Sequence, residues 1–182
     1  MGDTNNTVLV VEDERRLADL YADHLDDEYD VRVAYSGREA LEKLSADVDA
    51  MLLDRRMPEV SGSEVLAVLA DRDIECRVAL VTAVNADFDI IDLGIDDYLV
   101  KPVTGEEVRS TVDRLLTIDE YNERVRELSA KKVKRNVLEV EKTESELAES
   151  DEFDRLTDEI ATLEAEVESI ESQFDVEGLE PL

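Results

Sequence analysis

Five positions spread between residues 12 and 101 carry side chains that together suit one reaction. Glu12 and Asp13 form an acidic pair in VVEDE, Asp54 lies in LLDRRMPEVSG, Thr82 in LVTA, and Lys101 precedes Pro102 in DDYLVKP. Three carboxylates brought to one place repel each other and favour a divalent cation between them. Hard oxygen donors with open coordination positions select Mg²⁺ over softer metals. A cation beside a carboxylate, with a lysine and a hydroxyl opposite, suits phosphoryl transfer. Positive charge neutralises the equatorial oxygens while the carboxylate attacks in line.

Such a site exists only if the fold gathers these residues. Short apolar runs at Val8–Val11, Met51–Leu53, Val78–Val81 and Tyr98–Val100, with a weaker alternation at Val31, Val33 and Tyr35, suit buried parallel strands. Amphipathic stretches lie between them, two with capping-box starts at Ser36–Glu39 and Thr104–Glu107. Five strands alternating with five helices predict an α/β layer structure with a parallel sheet. Ligands in that architecture sit beyond the carboxyl ends of the strands. All five chemical residues fall at such ends.

With these motifs in order, residues 1–117 resemble the receiver domain of two-component response regulators. The resemblance implies a five-stranded, doubly wound, flavodoxin-like sheet and a phosphoacceptor role for Asp54, supplied by a sensor histidine kinase. It implies Mg²⁺ held by Asp13, Asp54 and the backbone carbonyl of Arg56, with Glu12 acting through water. Thr82 and Lys101 would bind phosphoryl oxygens, Tyr98 would be an aromatic switch, and the Lys101–Pro102 bond would be cis. Such a chain is a phosphoacceptor regulator that assists its own phosphorylation and dephosphorylation, not an enzyme acting on other substrates. Arg56 and Val84 depart from the commoner family choices and flank the path of attacking water. Gly62 is expected to serve backbone geometry where the third helix begins.

Residues 118–182 differ in character, with no Gly before Gly178 and no Pro before Pro181. Phe153, Leu156, Ile160, Leu163, Val167, Ile170 and Phe174 repeat with 3,4 spacing, giving one apolar seam. Ile118, Tyr121, Val125 and Leu128 repeat it, and Val133, Val137, Val140 and Leu147 continue on a rotated face. The spacing predicts an all-α tail: two helices over about 119–149 and 152–174, forming a hairpin or coiled coil, with Asp151 as a cap. One continuous helix is the rival. The run from Thr104 through Val108 and Val112 to Tyr121 lacks Gly and Pro, so the tail's first helix is expected to grow from the receiver's last. The stretch YNERVRELSAKKVKRNVLEVEKTESELAESDEFDRL resembles the HalX output segment of halophilic archaea. The seam suits a homodimer or a helical protein partner. The alternative is DNA binding through Arg124, Arg126, Lys131, Lys132, Lys134 and Arg135. It is disfavoured because residues 119–182 hold 21 acids against 8 bases.

Composition limits the remaining choices. The 182 residues carry 49 acids and 20 bases, a formal charge of −29, which excludes a generally nucleic-acid-binding surface. Six lysines against 14 arginines under this acid load suggest a salt-accumulating source. The longest apolar run, Val65–Ala70, is far shorter than the ~20 residues of a membrane helix. The single cysteine, Cys76, cannot form an internal disulfide and is expected to be an inert thiol at a strand edge. With no signal-like start, the expected location is cytoplasmic. His24 is expected to face solvent, and the absence of histidine after it excludes a histidine phosphotransfer tail.

Overall fold

A computed structural model describes residues 6–83 and 93–176. The chain divides into two compact units, Met1–Leu116 and Thr117–Leu182.

In the first unit, strands β1 (Thr7–Val11), β2 (Asp30–Ala34), β3 (Ala50–Leu53), β4 (Arg77–Thr82) and β5 (Asp97–Val100) form one sheet in the order β2-β1-β3-β4-β5. All neighbours pair in parallel, with Val10 opposite both Val33 and Leu52. Helices α1 (Arg15–Asp23), α2 (Gly37–Lys43), α3 (Gly62–Asp71) and the start of α4 (Gly105–Glu141) complete the layers. The helix expected between β4 and β5 would fall on 84–92, outside the described residues, as does Val84.

Strand alternation explains the two cores. Leu9, Val11, Met51, Leu53, Val78 and Leu80 pack on one face with Ala40 of α2 and Val65, Leu66 and Leu69 of α3. Val8, Val10, Ala50, Leu52, Ala79 and Val81 pack on the other with Tyr21 of α1 and Val108, Val112 and Leu115 of α4. Successive strand residues point to opposite faces, so a strand buried on both sides must be apolar at every position. Each fully buried Leu or Val contributes about 1.5–3 kcal/mol. The Ser36 hydroxyl accepts from the Glu39 amide, but the Glu39 carboxylate reaches back to the Tyr35 amide, one residue earlier than a regular box. Thr104 and Glu107 close a full box, and so do Ser61 and Glu64 at α3.

His24 is half-buried rather than solvent-facing. A Cβ at Gly105 would come within 2.6 Å of its imidazole, and its carbonyl accepts from Arg109 Nε at 2.7 Å. Cys76 is half-buried just before β4.

In the second unit the later part of α4 is followed by α5 (Glu144–Ala148) and α6 (Asp151–Val176). The expected pair of helices at 119–149 and 152–174 is corrected in two ways. The first helix begins at Gly105 and ends at Glu141, and a separate short helix follows. Thr143 and Glu146 form a capping box that restarts the chain as α5. Ser150, not Asp151, caps α6, its hydroxyl accepting from the Phe153 amide at 3.2 Å.

The 153–174 seam is filled from within this unit. Ile160 and Leu163 are buried against Leu128 of α4, flanked by Leu156 and Val167. Tyr121 bonds Glu171, Arg124 pairs with Glu166, and Lys131 pairs with Glu159, an antiparallel order that makes the tail a helical hairpin. Phe174's side chain lies outside the described set. Among the described residues, no helix is long and apolar enough to cross a membrane.

Candidate functional site

The carboxyl ends of β1, β3, β4 and β5 deliver the predicted residues to one mouth. Glu12 follows β1 and its amide donates to Ala34 O at 3.1 Å; Asp54 follows β3 and donates to Val11 O at 2.9 Å. Lys101 follows β5 and donates to Thr82 O at 2.9 Å. The strand ladders thus extend one residue past each end and fix where these side chains start.

Glu12, Asp54 and Thr82 are buried and Asp13 is exposed. Carboxylate oxygens of Glu12, Asp13 and Asp54 lie within 4.8 Å of one another. Lys101 Nζ donates to Glu12 Oε2 at 2.5 Å and to Asp54 Oδ2 at 2.7 Å. The second oxygen of each acid accepts from a backbone amide: Glu14 N at 3.2 Å for Glu12, Arg56 N at 3.0 Å for Asp54. Burial raises the Glu12 carboxyl above its ordinary value, against the opposing pull of Lys101. Burial would lower the Lys101 ammonium, but its bonds to Asp54 and Glu12 outweigh that and hold it above the usual lysine value.

Chemically, the mouth offers a carboxylate nucleophile, a cation against it, a buried hydroxyl and a hard-oxygen donor set. The donor set fits Mg²⁺, which accepts carboxylate oxygens and retains water at open positions.

Two features escaped the sequence reading. The amides of Glu14 and Arg56 hold the acids, and no side-chain motif encodes a backbone donor. Gly62 packs directly against the backbone of Asp54: a Cβ there would lie 2.4 Å from the Asp54 carbonyl oxygen. Arg56 itself is exposed, and its carbonyl follows the amide that bonds Asp54. Tyr98 is opposite Leu80 in the β4–β5 register and packs half-buried against the core on the α2/α3 face. The Lys101–Pro102 peptide is cis.

Residues 8–113 match the family model described as the response regulator receiver domain. The chain belongs to that family. Residues 117–180 match the family model described as the HalX domain, so the receiver domain is followed by a HalX domain. A Haloferax volcanii protein named for transcriptional regulation is 43% identical over 172 residues, which is 92% of this chain and 30% of that one. The response regulator SaeR of Staphylococcus epidermidis is 35% identical over 113 residues, 60% of this chain and 49% of that one. The chain therefore spans half or less of these curated relatives. A signal receiver domain from Vibrio parahaemolyticus aligns at 28% identity and TM-score 0.61, covering 66% of this receiver–HalX chain and 97% of that one. The Thermotoga maritima response regulator TrrA, solved in complex with Mg²⁺-BeF, aligns at 32% identity and TM-score 0.54, covering 61% and 99%.

Proposed function

We propose that Asp54 accepts a phosphoryl group from the phosphohistidine of a sensor kinase and that the HalX tail passes the signal on through protein contacts. In this reading the receiver runs through residue 117 and the tail from 118. The observation that supports it most is the single ammonium of Lys101 shared by Glu12 and Asp54. In the transfer, an Asp54 carboxylate oxygen forms a bond to phosphorus while the phosphorus–nitrogen bond breaks, its electron pair leaving on the imidazole. Attack of one anion on another needs nearby positive charge and preorganised donors. Lys101 supplies the charge and the Thr82 hydroxyl can donate to a phosphoryl oxygen. Asp13, Asp54 and the Arg56 carbonyl would hold Mg²⁺, with Glu12 acting through water, and the bound ion would add further neutralisation of the phosphoryl oxygens. Tyr98, on the strand leading to Lys101, would report the new charge by repacking.

The basic stretch of α4 supports protein contact over DNA contact. Arg124 pairs with Glu127 and Glu166, Lys131 with Glu127 and Glu159, Lys132 with Glu164, and Arg135 with Glu139. Cations already paired with acids release few counterions on meeting phosphate.

Incubation with Mg²⁺ and a small acyl phosphate should label the chain once, and Asp54→Asn should abolish the label while leaving the circular dichroism unchanged. Full labelling of a folded Asp54→Asn protein would overturn the assignment. A gel shift of the full chain in multimolar KCl separates the DNA reading.

A further inference from the structure

The hairpin uses one face of α4 and leaves another bare. Leu128 faces α6 and is buried, whereas Val133, Val137 and Val140 are 62%, 54% and 83% exposed. These valines, preceded by exposed Ala130, fall at intervals of three and four and therefore form one stripe along the helix. Val133, Val137 and Val140 line a shallow depression with Asn136 and Glu141. The three valines are the strongest apolar exposure among the described residues of the tail. A chain otherwise so rich in surface carboxylates has no solvation reason to place them there.

We propose that this stripe is a self-association surface, on which a second copy of this chain docks antiparallel about a two-fold axis near Val137. Charge distribution points to a second copy and sets its direction. Residues 124–135 hold six bases against Glu127, whereas residues 139–149 hold Glu139, Glu141, Glu144, Glu146 and Glu149 against Lys142. An antiparallel pair sets Val133 of each copy beside Val140 of the other and brings Lys134 opposite Glu141, since both flank the stripe on the same side. A parallel pair would align base with base and acid with acid, which is repulsive. A two-fold axis makes the surface self-complementary, so one patch satisfies both subunits. The stripe is short, so the interface falls in the weak, small class, below about 1,200 Å² in total. Association is then expected at micromolar concentrations and above. It also depends on salt, because two bodies of charge −29 repel at long range until screening is strong. This surface deepens the reading of the tail as a protein-contact module and is independent of whether Asp54 takes phosphate.

Sedimentation equilibrium of the full chain in molar KCl tests it. The expected result is a monomer–dimer equilibrium that Val137→Asp weakens by about a hundredfold or more, since it places a carboxylate in each half of the seam. Circular dichroism of Val137→Asp should match the parent, because Val137 makes no hairpin core contact. Lys134→Glu should also weaken the dimer, and Lys134→Glu with Glu141→Lys should restore it. For direction, a Cys76→Ser background carrying Val133→Cys is mixed with the same background carrying Val140→Cys. Oxidation should give the mixed disulfide dimer in preference to either self-linked one. A monomer at all concentrations, a dimer untouched by folded Val137→Asp, or preferential self-linking would each overturn the proposal. Loss of acyl-phosphate labelling with the dimer intact would instead strike only the phosphoacceptor reading.

Discussion

Lys101 and Asp54, 47 positions apart in sequence, meet at 2.7 Å, and the same ammonium also holds Glu12. One cation therefore ties the end of β5 to the ends of β1 and β3. Lys101→Met should leave two buried carboxylates facing each other and lower stability by roughly 3 kcal/mol. Added Mg²⁺ should then raise the melting temperature of this variant more than that of the parent, because a divalent ion relieves the same repulsion. Thermal melts with and without Mg²⁺ check both outcomes; an unchanged melting temperature would mean that the lysine contributes nothing to the mouth's stability.

Gly62 gives a test whose sign decides. On helix propensity alone Gly→Ala should stabilise α3 by up to about 1 kcal/mol. The added Cβ would meet the Asp54 carbonyl oxygen at 2.4 Å and Arg55 Cα at 2.9 Å, both backbone atoms. Overpacking of this kind costs about 1–3 kcal/mol. Gly62→Ala should therefore lose stability in denaturant titration and also slow the proposed labelling, since the backbone of Asp54 must shift. A stabilised variant would show that the loop gives way freely.

The Tyr29 hydroxyl bonds the Asp113 carboxylate of α4, and burial followed by that bond raises its phenol above the ordinary value of 10.0. A raised folded value means that the unfolded chain ionises first. The stabilisation is therefore complete below pH 10 and declines as pH rises beyond it. The parent should exceed Tyr29→Phe by about 1 kcal/mol near neutrality, and the gap should close in alkaline melts. A gap that widens with pH would contradict the sign.

Salt should act on the whole chain. Screening shortens from about 10 Å at 0.1 M to about 3 Å at 1 M, which relieves repulsion within a chain of −29. Melting temperature should rise with KCl across the molar range, and a flat response would count against a salt-adapted fold.

The receiver was readable because its chemistry and its topology coincide. Strands such as Val8–Val11 and Met51–Leu53 are buried on both faces, so they appear as unbroken apolar runs, and each run ends at a residue of the mouth. The tail was readable in period but not in partner. A 3,4 spacing shows that Ile160 and Leu163 need cover, yet nothing in it says that Leu128 of the same chain provides it. The break after Glu141 is not foreseen because the capping signal is read at Asp151, while Thr143 and Glu146 restart the helix eight residues earlier through a capping box. His24 was misjudged since its neighbour, Gly105, lies far along the chain and leaves no local signature.

Helix α4 runs from Gly105 to Glu141, while the two family matches meet between residues 113 and 117. The boundary between the modules is thus intact helical backbone, in which each amide is bonded to the carbonyl four residues back. A protease would be drawn to Lys142–Thr143 and Glu149–Ser150, where the helical bonding is interrupted. Exchange of HalX tails between chains at residue 116 would cut through hydrogen-bonded turns, while carrying Leu128 and Ile160 across together, because both belong to the second unit.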